Sequence, residues 1–290
     1  MGKHYVPQFF LQGFTRTGRF LVFDKTKAKW FPSQPKSVAN EGDLWSDEIE
    51  TFVTENIEDP AKHAIEQLRN RLQLSPQDRD DLARYVAFLW KRVPANREQF
   101  NGNIPEVSEK IRAELNLTLK TENQKAMANA YIDKLIAERP PELWQASIRT
   151  GFTLDIPGAI TNMQWQVLHT EDQLYLASDN PLFFFHSDGM GQPTSEITLP
   201  LGSRSALVGH NRSGGGPLHV DASPCQVKEI NRRTVLKATR FIFAEEQLPW
   251  MIPFVRKEHR PVKGAFSSSR SSTSMATGRF GSKSACRDPL

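Results

Sequence analysis

Cysteine is nearly missing from this chain: Cys225 and Cys286 are the only two in 290 residues. Neither sits in a CxxC or Cys/His cluster, so neither a disulfide framework nor a structural zinc site of the usual spacing organises the fold. The expectation is a reduced, cytoplasmic protein with incidental thiols. No apolar run approaches the roughly 18 residues that a membrane-spanning helix requires. Residues 1–8 contain no continuous apolar stretch and no small-residue cleavage site, so no secretory signal is expected. Several catalytic motifs are missing as well: there is no GxSxG elbow, no HExxH, no GxGxxG after a strand and no Cys–His nucleophile pair. Ser213-Gly214-Gly215-Gly216-Pro217 has glycines but not the spacing of a phosphate-binding loop.

Charge of one sign is also scarce once the chain is divided. The 37 basic and 33 acidic residues give +4. Residues 256–290 hold eight basic and two acidic side chains, net +6, which leaves 29 basic and 31 acidic in residues 1–255, net −2. The body therefore lacks the basic surface that grips a long nucleic-acid duplex or an anionic membrane. Residues 263–290 are Ser-rich and almost without apolar side chains, which predicts a flexible basic tail able to contact an acidic partner.

What is present reads as an α+β chain. An N-terminal extended segment with a β-hairpin comes first, then a central α-helical layer over about residues 46–148. A mainly antiparallel C-terminal sheet follows over about 150–245, all in one domain spanning 1–255. Arg19 to Phe23 and Trp30-Phe31 form the hairpin strands around a polar turn. Ser46 caps a helix whose apolar face, from Ile49 to Leu72, keeps its phase across Pro60, which predicts a kink or two abutting helices. Ser75, Pro76 and Asp78 open the next helix, with Leu82, Tyr85, Val86 and Leu89 inward and Pro94 closing it. Further helices are expected at about 104–116, 122–138, from Pro140-Pro141 and from Pro224 to Leu236. Residues 165–169 and 173–177 read as a hairpin, and 239–244 as a closing strand.

Three local sequences stand out chemically. His4, in Lys3-His4-Tyr5-Val6-Pro7-Gln8-Phe9-Phe10-Leu11, lies where an apolar N-terminus must dock on the core, placing a titratable ring at its margin. Asp179 and Asn180, in Ser178-Asp179-Asn180-Pro181, occupy a tight turn at a strand end, where sites are commonly built. Arg92 borders the apolar face of its helix and needs an anion, for which Glu58 is the expected partner. The remaining histidines have no ligand spacing among themselves.

These blocks resemble the bacterial domain-of-unknown-function family numbered 4238. The likeness runs through His4 to Leu11 with Gly13-Phe14, Ile57-Glu58, Arg92-Val93-Pro94, Ser178 to Pro181, Leu199-Pro200-Leu201, and Asn231 with Ala238 and Phe241, over about residues 3–244. The family usually has tyrosine where this chain has Phe10. The resemblance implies a shared fold and no defined activity.

Two functional expectations follow. In one, the chain is a ligand- or partner-binding module in a bacterial stress or defence setting, and the polar residues pin the N-terminus to the core. In the other, His4, Glu58, Arg92, Asp179 and Asn180 form one pocket of a metal-dependent hydrolase. Asp179 and Glu58 would hold a divalent metal, His4 would act as base, and Arg92 would bind the anionic group of a phosphodiester or nucleotide.

Overall fold

A computed structural model describes residues 3–42, 44–138, 140–150, 156–185 and 191–247, together with Pro253. The basic tail, His186, His259 and Cys286 lie outside the described residues. The organisation is α+β, as expected, with helices in the centre and sheets formed by both ends of the chain.

The N-terminal segment alternates short elements: β1 (Lys3–His4), α1 (Gln8–Gln12), β2 (Phe20–Asp24), β3 (Lys29–Ser33) and β4 (Asn40–Glu41). Helix α1 was not expected. It forms because Pro7 enters it and its one turn buries Phe10 and Leu11, with Phe14 buried just beyond. Its closing residue Gly13 approaches so near to the Arg69 guanidinium that a Cβ there would collide with it. Arg69 donates to the carbonyls of Phe10 and Leu201 and so joins α1 to the sheet.

The helical layer comprises α2 (Asp47–Val53), α3 (Asp59–Arg69), α4 (Pro76–Arg92), α5 (Pro94–Thr118), α6 (Glu122–Glu138), α7 (Pro141–Thr150) and α8 (Ile156–Thr161). Ser46 caps α2, and Ser75 with Asp78 forms a full capping box on α4. Pro60 produces neither a plain kink nor a break. Lacking an N–H, it leaves the preceding turn to widen, so Thr54–Glu58 is a π-turn that runs into α3 with Pro60 in its first turn. Pro94 both ends α4 and begins α5, because Val93 before it is extended (ψ 149°) while a proline suits the first turn of the next helix. Hence α5 begins ten residues earlier than the polar composition of 94–103 implied, and it continues past Pro105.

The remaining elements are β5 (Gln164–His169), β6 (Ala177–Ser178), β7 (Phe183–Phe185), β8 (Glu196–Gly202), β9 (Ser205–His210), β10 (His219–Asp221), α9 (Pro224–Lys237) and β11 (Phe241–Ala244). Among the described residues three sheets form: the antiparallel pair β1-β4; a sheet of order β10-β5-β9-β8-β7, antiparallel except for β10 beside β5; and a sheet of order β3-β2-β11-β6, antiparallel throughout. The expected hairpin of 165–169 with 173–177 does not form, since β5 pairs with β9 and β10. The chain from Gln173 is instead held by Asn231 of α9, whose carboxamide accepts from Leu176 N (2.9 Å) and donates to Leu174 O (2.8 Å). Cys225, in the first turn of α9, is disulfide-bonded rather than an incidental thiol.

Candidate functional site

Arg92 ends α4 and is 1% exposed. A buried guanidinium must be paired, and Arg92 meets two oxygens: Nη1 donates to Glu58 and Nη2 to the main-chain carbonyl of His4. Its Cζ lies 4.7 Å from the centroid of the Phe88 ring and 4.9 Å from that of Trp45, within cation–π reach of both. Glu58 reaches it from the π-turn, where the wide turn aims the carboxylate at α4. The expected Glu58–Arg92 pair is therefore present. His4 takes part through its backbone, and its ring is turned elsewhere. The imidazole is buried, with Nδ1 3.4 Å from Gln8 Nε2 and Nε2 unpartnered among the described residues. Burial holds its pKa below the ordinary value, Arg92 adds to this, and the Lys36 backbone opposes it, so the ring is neutral at neutral pH.

Asp179 is placed by the junction of β6 and β11. Its Oδ1 accepts from Thr239 N (2.8 Å), and its Oδ2 accepts from Arg240 N (2.7 Å) and Phe241 N (2.9 Å). Both oxygens are thus occupied by main-chain donors at the start of β11. Burial raises the carboxyl to about pH 6, against the lowering effect of those three N–H groups and of Lys25. Asn180, half-buried, gives its backbone N–H to Ser178 Oγ (3.3 Å), the tight turn that Asn-Pro predicts. Around this knot, Lys25 Nζ donates to Ala238 O (2.6 Å) at the end of α9. The Arg240 side chain donates to Asp24 (2.9 Å), whose carboxyl is pushed up by burial yet held down to about 2 by Arg240 and Thr26.

The five residues accordingly fall into two knots. His4, Glu58 and Arg92 meet in one; Asp179 and Asn180 share the other. Tyr5 links them, its phenol pKa raised by burial and by the charge of Asp179. Among the described residues, no group of three or more His, Cys, Asp or Glu side chains is placed to hold a metal ion. A cleft of about 510 Å³ lies elsewhere, beside Ser75, Arg79, Asn162, Gln164, Trp165 and Leu218, and none of the five lines it. Its Arg79 stacks 4.1 Å over Trp165 while donating to Thr161 O and Met163 O.

Other polar constellations are set mostly by pairing between distant elements. His169 Nε2 lies 3.0 Å from His219 Nδ1, and His219 Nε2 lies 2.9 Å from Leu72 O; the two histidines meet only because β10 runs parallel beside β5. Burial lowers His169 to about pH 4, helped by Arg71 and His219. Buried Glu196 binds Arg233, which also donates to Glu229 (2.9 Å). Helical spacing (i, i+4) could have revealed the second of these contacts; the first joins a strand to a distant helix.

The fold and its two knots define an α+β protein whose N-terminal segment is fastened to the end of α4 by Arg92, and whose helix α9 is fastened to β8 by Arg233 and to residues 174–176 by Asn231. The chain belongs to the family described as protein of unknown function (DUF4238), whose model matches residues 3–247. Neither the curated proteins nor the solved structures gave a match. Among the described residues no helix is long and apolar enough to cross a membrane.

Proposed function

We propose that this protein is a partner-binding module in which the two knots are the frame and the α5–α6 hairpin is the recognition element. One observation carries this reading. Of the seven large apolar side chains exposed among the described residues, five (Val107, Ile111, Leu117, Met127 and Tyr131) lie on α5 and α6. Contiguous exposed apolar surface is uncommon unless something docks on it.

Four of the five share a face. The helices are antiparallel, registered by Arg112 of α5 on Asn129 (3.1 Å) and Asp133 (2.6 Å) of α6. Val107 and Ile111 each precede a residue turned from solvent or toward α6: the buried Ser108, and Arg112, which bonds α6. Met127 and Tyr131 precede Ala128 and the buried Ile132 in the same way. In antiparallel helices the rows one residue before the contact line turn to the same side, so these four side chains form one patch. Residues 94–138 hold six basic and seven acidic side chains, so the patch is suited to an apolar surface rather than to nucleic acid.

The frame reading is supported by the engagement of Asp179 by three main-chain donors and of Glu58 by Arg92, which leaves neither poised as a metal ligand. It is tested by incubating the purified chain with Mn²⁺ or Zn²⁺ and bis(p-nitrophenyl) phosphate. No turnover above buffer is expected. Turnover that disappears in folded Asp179→Asn or Glu58→Gln would replace this reading with the hydrolytic one. Ile111→Ser, Met127→Ser and Tyr131→Ser, combined, should change stability by only about 0.5 kcal/mol per site, because exposed side chains contribute little to folding; calorimetry measures it.

A further inference from the structure

We infer that the partner seated on this patch is a second copy of the same chain, hairpin against hairpin across a two-fold axis; the inference rests on the recognition reading above. The α5–α6 pair is nearly coreless. The 25 residues of α5 bury only Asn96 and Ser108, and the 17 residues of α6 bury only Ile132. Helices draw most of their stability from packing of an apolar face. Two antiparallel helices with a shared, unpartnered apolar face are half of a four-helix bundle, and a two-fold axis through the patch supplies the other half.

Charge and area agree with this occupant. The rim of the patch carries Lys110, Glu114, Lys134 and Glu138, two of each sign, so an identical surface meets no net repulsion. Lys110 and Lys134 already pair along their own helices with Glu106 (2.8 Å) and Glu138 (4.0 Å). A face roughly 25 Å long, set by α6 at about 1.5 Å per residue, and about 20 Å wide for two helices offers on the order of 500 Å² per copy. Two copies bury about 1,000 Å², the lower bound of a specific interface. The association is therefore a dimer of moderate affinity.

The test places a photo-crosslinker on the patch of the full-length chain, Tyr131→p-benzoylphenylalanine, with Leu72→p-benzoylphenylalanine as a control at an exposed apolar position outside α5 and α6. Irradiation of the purified protein at micromolar concentration should give a product of twice the 32.9 kDa chain from position 131 and none from position 72. Sedimentation equilibrium of the unmodified chain should show a dimer, with Kd raised at least about tenfold by Ile111→Ser/Tyr131→Ser and the circular dichroism unchanged. A wild-type chain that remains monomeric, or a crosslink formed in cells only to a different protein, overturns the second copy while leaving the hairpin as recognition element. No crosslink at position 131 in either setting overturns both.

Discussion

On the proposed frame reading, Asp179 serves the architecture of the chain. Its carboxylate accepts from three consecutive backbone N–H groups about 60 residues away, so its surroundings depend on β11 and not on its neighbours in sequence. Asp179→Ala would leave those donors buried and unpaired, at a cost of about 3 kcal/mol or more, read from urea denaturation. The titrating groups give opposed pH effects. Asp179 is raised to about 6, so between its unfolded value of about 3.9 and that point the folded chain holds the extra proton. Its contribution to stability then falls as pH rises through that window. His169 is lowered to about 4, so the unfolded chain binds the extra proton up to about pH 6.5, and its contribution rises with pH over that range. His169→Gln keeps a donor for His219 and loses the titration. The urea midpoint of the wild type should therefore gain on the variant between pH 4.5 and pH 7, and a constant difference would refute the assignment.

Elements were legible where local chemistry decides them. The caps at Ser46 and Ser75, the N-terminal hairpin, and helices α6 and α9 follow from side chains that act within one or two turns. The errors arise where a distant group satisfies the backbone instead. Gln173 to Leu176 has a strand-like pattern, yet the Asn231 carboxamide supplies the partners that a hairpin neighbour would have supplied. Asn231→Leu should cost about 2–4 kcal/mol, since it strands a buried N–H and a buried carbonyl together, and hydrogen exchange at Leu176 should accelerate with it. The π-turn is a further case: Pro60 signals a disturbance without specifying its form, and the widened turn carries Glu58 to Arg92. The Glu58–Arg92 pair itself was readable, because both helices' apolar faces were.

At the scale of the molecule, the α+β class and the family were both readable from ordered blocks of sequence, and the sheet order was not. β2 pairs with β11, so Leu21 lies beside Ala244, a contact that joins the two ends of the matched region. Sequence periodicity carries no information about such pairing. On the proposed frame reading, His4, Glu58, Arg92 and Asp179 tie distant parts of the chain together, while Asn180 shapes the local turn. His4 contributes through its carbonyl, so its substitution by alanine should matter less than loss of the Arg92 side chain. The most direct test of the frame account is the unfolding free energy of Glu58→Gln, Arg92→Met and the double variant, by urea denaturation. The account predicts that each single variant loses about 3–5 kcal/mol, since one partner of a buried pair is stranded, and that the double variant loses clearly less than the sum. Single variants that fold with wild-type stability, or losses that simply add, would contradict it.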